Sequence, residues 1–126
     1  GFGVAAGHQA GDLLCRSGPA PSAVFAVDDL TAVGVLGALR DAGRTVGSDV
    51  ALVGYNDVEL AADLPVPLTS VRSDREQMGR LALEVLLDRI AGRDVASVLL
   101  PPVLVPRAST LGVEPGGPDG SVRRDR

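Results

Sequence analysis

Two short apolar runs that end in acidic or amide side chains constrain the fold of this chain more than any other feature. The first, residues 23–29, reads AVFAVDD, and the second, residues 50–57, reads VALVGYND. Apolar residues in unbroken succession are typical of a strand that is covered on both faces. In open parallel sheets, ligands bind in the crevice outside the carboxyl ends of the strands. The polar residues that close the two runs are therefore the candidate site.

The segment between the two runs predicts a helix, so that the three elements form a βαβ unit with parallel strands. Asp28 or Asp29 can cap this helix, and Asp29 is the expected cap. Gly43 follows the last turn as a residue that can adopt the left-handed conformation at a helix end. The expected inward face consists of the apolar residues at helical spacing: Leu30, Val33, Leu36 and Leu39.

A third strand and a long helix follow the second apolar run. Residues 58–64 are long enough for a short helix, and the prolines after them force extended chain into a strand over residues 68–72. Ser73 and Glu76 have the spacing of a capping box, which predicts a helix over residues 74–92. Its inward face is defined by apolar residues at helical spacing: Met78, Leu81, Ala82, Val85, Leu86 and Ile90.

The two ends of the chain give weaker signals. Residues 2–17 fit an amphipathic helix despite their glycines. Residues 98–100 and 103–105 are short strand-like runs around a proline pair, which places them at the edge of a sheet or in a connection. Residues 112–126 contain almost no large apolar side chain, so this tail is expected to be disordered.

Composition excludes several classes of function. The chain has a net charge of −4, which argues against a surface that binds phosphate groups. His8 is the only histidine and is interpreted as exposed and inert, and Cys15 is the only cysteine, interpreted as a small buried apolar residue. There is no Ser-His-Asp set, no metal-ligand spacing and no phosphate loop. We therefore expect neither an enzyme nor a bound metal or cofactor.

A succession of five motifs resembles the lactose-repressor (LacI/GalR) family of transcription regulators. In chain order they are AVFAVDDLTAVG, DVALVGYND, PLTSVR, MGRLA and LPPVLVPRAST, and together they extend over about residues 1–111. The resemblance implies an α/β fold with a parallel sheet, that of a periplasmic-binding-protein-like (type I) sensor domain, of which this chain is the carboxyl-terminal part. Residues 23–68 would belong to the carboxyl-terminal lobe, residues 74–92 to a helix of the other lobe, and residues 98–107 to the segment that returns.

The resemblance also implies roles for individual residues. Asp28 and Asn56 correspond to positions that contact effector hydroxyl groups in members of the family that bind sugars, and a helix cap alone remains the alternative for Asp28. Asp57 is a further ligand candidate, for which a role in the turn or as a cap competes. Val33 and Leu64 correspond to contacts across a homodimer interface, although Val33 also falls on the apolar stripe of its helix and could belong to the core.

The function that the resemblance implies is the effector-binding and dimerisation part of a cytoplasmic regulator. Its ligand would be a small sugar-like or nucleoside-like molecule, and operator DNA would be bound only through an amino-terminal headpiece that this chain lacks. No membrane partner is expected. A sugar-binding protein of a transport system has the same fold and is the alternative, although the LPPVLVPRAST ending favours the regulators. A receiver domain is excluded, because the chain has no lysine to meet a phosphoryl group.

Overall fold

The computed structural model describes residues 1–19 and 21–112 of the 126-residue chain. The prediction of a disordered tail falls, apart from Gly112, outside the described residues. The elements in chain order are α1 (Val4–Arg16), β1 (Ala23–Phe25), α2 (Asp29–Asp41), β2 (Ala51–Tyr55), α3 (Leu60–Asp63), β3 (Thr69–Arg72), α4 (Arg75–Ile90), β4 (Val103–Val105) and α5 (Ala108–Leu111).

The strands form one four-stranded sheet in the order β1-β2-β3-β4. Strand β2 is parallel to both β1 and β3, and β4 closes the edge antiparallel to β3. The α/β class with a mainly parallel sheet is therefore confirmed, and so is the edge position of residues 103–105. Residues 98–100 form no strand, because the proline pair that follows them removes two backbone donors and restricts the residue before it.

Helix α2 buries a different stripe from the one that the sequence predicted, against the sheet on one side and α1 on the other. Its buried apolar residues are Ala32, Val35, Ala38 and Leu39. Of the predicted face only Leu39 is buried, whereas Leu30 is exposed and Val33 and Leu36 are half-buried. Apolar residues surround most of this helix, so more than one stripe fits the helical period, and the stripe with alanines lets the helix lie closer to its neighbours.

Helix α1 lies on α2 through glycines, which bring the two backbones together. A Cβ atom at Gly7 would overlap the carbonyl oxygen of Thr31, and a Cβ atom at Gly34 would overlap the carbonyl oxygen of Val4. The buried residues of α1 are Gly7 and Gly11, and its leucines stay exposed. Close approach of the backbones, rather than leucine packing, therefore determines how α1 sits.

Helix α4 differs from the prediction in its cap and in its burial. Asp74, rather than Ser73, is the N-cap, because Asp74 has the non-helical backbone and its Oδ1 accepts from the backbone N–H of Gln77 at 2.8 Å. No residue of α4 is buried. The face that was expected to point inward instead borders a cavity of about 320 Å³, whose other wall is formed by Ala96, Ser97, Val98 and Leu100. In the part of the chain that the structure describes, no helix has the length and hydropathy needed to cross a bilayer.

Candidate functional site

The carboxyl ends of β2 and β3 meet at an open cavity of about 450 Å³. Its walls are Asn56, Asp57, Arg72, Ser73, Asp74, Arg75 and Glu76. The structure thus brings two of the three predicted ligand residues, Asn56 and Asp57, into one cavity. Asp28 lies at the end of the neighbouring strand β1 and is not part of the cavity wall.

Asn56 stands at the cavity in an unusual backbone conformation. Its φ angle is +96° and that of Asp57 is +49°, which is the left-handed region that asparagine and aspartate tolerate better than most residues. The backbone N–H of Asn56 donates to the carbonyl of Val71 at 2.9 Å, and its carbonyl accepts from Nη1 of Arg75 at 3.3 Å. Among residues 1–19 and 21–112, no hydrogen bond involves the side-chain amide of Asn56. Its donor and acceptor are therefore available to a ligand.

Asp28 acts as the cap of α2. Its backbone is extended, with φ −152°, and its Oδ1 accepts from the backbone N–H of Thr31 at 2.6 Å. The expectation that Asp29 is the cap was wrong, because a cap must have non-helical backbone and Asp29 is already the first helical residue. The capping alternative for Asp28 is thus realised with one carboxylate oxygen, and its ligand contact stays a prediction.

Asp57 is held by two arginines. Its side chain is 3% exposed, and its Oδ2 lies 2.7 Å from Nε and 2.6 Å from Nη2 of Arg72. Its Oδ1 lies 2.7 Å from Nη1 of Arg107, which is close enough for an ion pair although the angle is not that of a hydrogen bond. Burial raises the pKa of Asp57, but Arg107 and Arg72 outweigh it and hold that pKa below its usual range. A ligand would have to compete with both arginines for this carboxylate.

The two arginine partners of Asp57 were not predicted from the sequence. Arg72 ends strand β3, and Arg107 follows strand β4 and donates to the carbonyl of Leu68 at 2.7 Å. The pairing of β4 with β3 brings these two arginines to one carboxylate. A basic residue at the end of a predicted strand was the only available signal, and it does not identify its partner.

No group of three or more histidine, cysteine, aspartate or glutamate side chains among the described residues could hold a metal ion.

The two predicted interface residues lie at the surface of the domain. Val33 is half-buried on α2 and is not part of the buried core, so the interpretation that it is simply a core residue does not hold. Leu64 follows α3, is half-buried and packs in part against the core. Contact of Val33 and Leu64 with a second copy stays a prediction.

Comparison with known proteins places the chain in a family. The model of the periplasmic binding protein-like domain matches residues 3–110. The lactose operon repressor of Rhizobium radiobacter is 35% identical over 104 residues, which cover 82% of this chain and 92% of that protein. The chain belongs to the lactose-repressor family. This confirms the resemblance that the five motifs indicated.

Solved structures of the lactose-repressor family have the same fold. The Lac repressor dimer bound to operator and the anti-inducer ONPF has a TM-score of 0.82 at 32% identity, over 87% of this chain and 39% of that one. The complex of the transcriptional regulator CelR with cellobiose has a TM-score of 0.79 at 39% identity, over 86% of this chain and 34% of that one. The chain spans less than a third of the length of several curated relatives, among them proteins of which it covers 27% and 28%.

Proposed function

We propose that this chain is the effector-binding and dimerisation part of a lactose-repressor-type transcription regulator whose ligand is a small sugar-like or nucleoside-like molecule. The amide of Asn56 carries the proposal, since it offers a free donor and a free acceptor at the wall of the cavity. A hydroxyl group both donates and accepts, so a polyhydroxylated ligand can use both atoms of such an amide. The CelR structure with cellobiose supports a carbohydrate-like class.

Asp28 and Asp57 would complete the contacts. The second carboxylate oxygen of Asp28 takes part in no hydrogen bond among the described residues, so it can accept from a ligand hydroxyl while Oδ1 caps the helix. Asp57 would act mainly by holding Arg72 at the cavity.

The burial pattern supports the division into lobes: the core is formed within residues 23–68, which would be the carboxyl-terminal lobe. Residues 74–92, which bury nothing, would belong to the other lobe, and residues 98–107 would be the returning segment.

The regulator is favoured over the alternative of a sugar-binding protein in transport, because the relatives are transcriptional repressors. We therefore propose a cytoplasmic protein without enzymatic activity. Operator DNA would be bound through an amino-terminal headpiece outside this chain. Effector binding can change operator affinity only if the ligand binds the two conformations of the regulator with different affinity.

The test of the site is calorimetry on the complete regulator with ribose, cellobiose and a nucleoside. One of these compounds should bind to the unaltered regulator. We expect Asn56→Ala to lower the affinity for that compound by roughly 5- to 150-fold, because a hydrogen bond in a closed cleft is lost. Asp28→Ala should weaken it as well. Asp49→Ala is the matched control for Asp28, since Asp49 also accepts from a backbone N–H, that of Thr45 at 2.8 Å, but before β2 rather than after β1. Unchanged affinity in both site variants would place the ligand elsewhere.

The dimer interface is tested by light scattering of the complete regulator. If Val33 and Leu64 meet their counterparts on a second copy, Leu64→Asp should produce folded monomers, because an unpaired carboxylate in an interface is costly. Leu64 also packs against the core, so Leu64→Asp could unfold the domain instead of separating the subunits. The milder Leu64→Ala is therefore measured as well, and circular dichroism checks that each variant keeps a cooperative thermal transition. Leu99→Asp is the control, since Leu99 is almost fully exposed. A Leu64→Asp variant that stays dimeric would remove this segment from the interface.

A further inference from the structure

Asp29 is a buried carboxylate whose two oxygens both bind residues near the cavity. It is 2% exposed. Its Oδ1 accepts from the hydroxyl of Ser70 at 2.6 Å, and its Oδ2 accepts from the backbone N–H of Val58 at 2.8 Å. No basic side chain within the described residues pairs with Asp29. A carboxylate at such a position is costly unless hydrogen bonds compensate for it, and here every compensating bond comes from β3 or from the segment after β2.

Ser70 extends this contact by one more hydrogen bond. Its single hydroxyl proton goes to Asp29, which leaves its lone pairs free to accept. They accept from the backbone N–H of Asp57 at 3.0 Å. Asp29 thus holds the backbone N–H of Val58 directly and that of Asp57 through Ser70. These are the two residues that follow Asn56.

The backbone held in this way is the left-handed pair of the site. Asn56 has φ +96° and Asp57 has φ +49°, values that residues with a side chain rarely adopt and that persist only where the surroundings enforce them. The carbonyl of Val71 holds Asn56 from one side. Without Asp29 and Ser70, nothing among the described contacts would hold the N–H groups of Asp57 and Val58.

Gly54 provides the space for this arrangement. A Cβ atom at Gly54 would overlap Oδ1 of Asp29 and would lie 3.2 Å from the Cα atom of Asp29. Any side chain at this position of β2 would therefore push Asp29 away from Ser70. The close approach of helix α2 to the sheet depends on this glycine.

We infer that Asp29 and Ser70 are positioning residues, which hold residues 56–58 in the conformation that presents Asn56 at the cavity. Neither residue belongs to the cavity wall. That Asn56 contacts a ligand rests on the proposed function, whereas the conformation of residues 56–58 can be measured without any ligand. The two claims can therefore fail separately.

Ser109, in helix α5, offers a matched control for Ser70, because its hydroxyl bonds the backbone of Thr69, the residue next to Ser70 on β3. Both serines are fully buried. The hydroxyl of Ser109 accepts from the backbone N–H of Thr69 at 2.8 Å and donates to the carbonyl of Leu52 at 2.6 Å. Ser109→Ala therefore deletes the same group with the same number of hydrogen bonds and leaves the segment after β2 untouched.

The experiment measures amide hydrogen exchange by NMR on the 126-residue chain and its variants Ser70→Ala, Ser70→Thr and Ser109→Ala. The amides of Asn56 and Val58 are read out because neither donates to Ser70. We expect Ser70→Ala to speed the exchange of these two amides on the order of tenfold relative to the amides within β2, since a buried acceptor is lost from the network. Ser70→Thr keeps a hydroxyl and should restore protection, and Ser109→Ala should leave these two amides as they are.

Protection of Asn56 and Val58 that is the same in Ser70→Ala and Ser109→Ala overturns the inference, because the loss is then general. If Ser70→Ala fails to fold, Asp29→Asn is measured in its place, with the same expected result and the same contradicting one.

Titration of the complete regulator with cellobiose separates the two proposals. Weaker binding in Asn56→Ala but unchanged binding in a Ser70→Ala variant with a loosened segment overturns the positioning role. Cellobiose binding that Asn56→Ala leaves unchanged overturns the ligand role of Asn56 and not the positioning result.

Discussion

Helices α2 and α4 have similar sequence patterns and opposite surroundings. Both carry apolar residues at helical spacing and a capping aspartate, Asp28 and Asp74. Helix α2 lies between α1 and the sheet and buries six of its residues, whereas the longer α4 buries none. The spacing of apolar residues shows which side of a helix is suited to being covered. It does not show whether the covering element belongs to the same stretch of chain.

Glycine substitutions should separate the two helices more strongly than any other change. In Gly34→Ala the added methyl group would overlap the backbone of Val4 and lie against that of His8, which cannot move aside as a flexible side chain can. We expect a loss of about 3 kcal/mol or more in the free energy of unfolding, or displacement of α1. Urea unfolding followed by circular dichroism measures it.

Gly79→Ala is the matched change in α4. A Cβ atom at Gly79 has no neighbour within 4 Å, so alanine should be neutral or stabilise the helix by up to about 1 kcal/mol. Equal destabilisation by the two substitutions would mean that α4 is packed as closely as α2, and would end the contrast between them.

Leucines test the same contrast at an intermediate size. Leu39 of α2 is 1% exposed, and Leu86 of α4 is 54% exposed. We expect Leu39→Ala to lower the free energy of unfolding by about 2–5 kcal/mol, because it leaves a cavity in the core. Leu86→Ala should stay within about 0.5 kcal/mol of the unaltered chain. A large loss from Leu86→Ala would show that α4 has a cover that the described residues do not include.

The sequence predicted the helices and strands of the core and placed Asn56 and Asp57 after a strand end, where the structure has a cavity. It was wrong about which side chains of α2 and α4 face inward. Parallel strands that end in polar residues can be recognised because apolar runs and their terminating residues are local signals. The inward stripe of α2 was missed because its packing depends on Gly7 and Gly34, which allow two backbones to touch. Close approach is a property of two elements together, and a period within one helix cannot reveal it.

The candidate site shows the same limit. Asn56 could be identified by its position after β2, but its left-handed backbone and the role of Asp29 depend on Ser70 and Val58. Asp28 and Asp29 are both plausible caps from sequence, and only the backbone conformation decides between them. Hydrogen-bond partners that are far apart in the chain become visible only when the register of β3 against β2 is known.

Ion pairs should matter less than packing, and the pH dependence of the free energy of unfolding distinguishes the pairs of Asp57 at the cavity from the pair on helix α4. The pKa of Asp57 is lower in the folded chain than its usual value, because the pairing with Arg107 and Arg72 outweighs burial. A carboxyl group with a lowered pKa contributes stability above its unfolded pKa and loses it as the pH falls toward the folded pKa. Between about pH 5 and pH 3, the free energy of unfolding should therefore fall less steeply in Asp57→Asn than in the unaltered chain.

The pair of Glu76 and Arg80 in α4 is the control for this measurement, since both side chains are largely exposed. Exposed pairs at this spacing contribute little, so Glu76→Gln should keep the pH dependence of the unaltered chain. Arg72→Gln removes the more exposed of the two arginines that pair with Asp57. The slope of its free energy of unfolding against pH should lie between those of the unaltered chain and Asp57→Asn. Asp41, whose pKa is lowered by His8 and Arg40, titrates equally in all these variants and cancels from the differences. Parallel curves for Asp57→Asn and Glu76→Gln would mean that the buried carboxylate at the cavity is no more strongly held than an ion pair on an exposed helix.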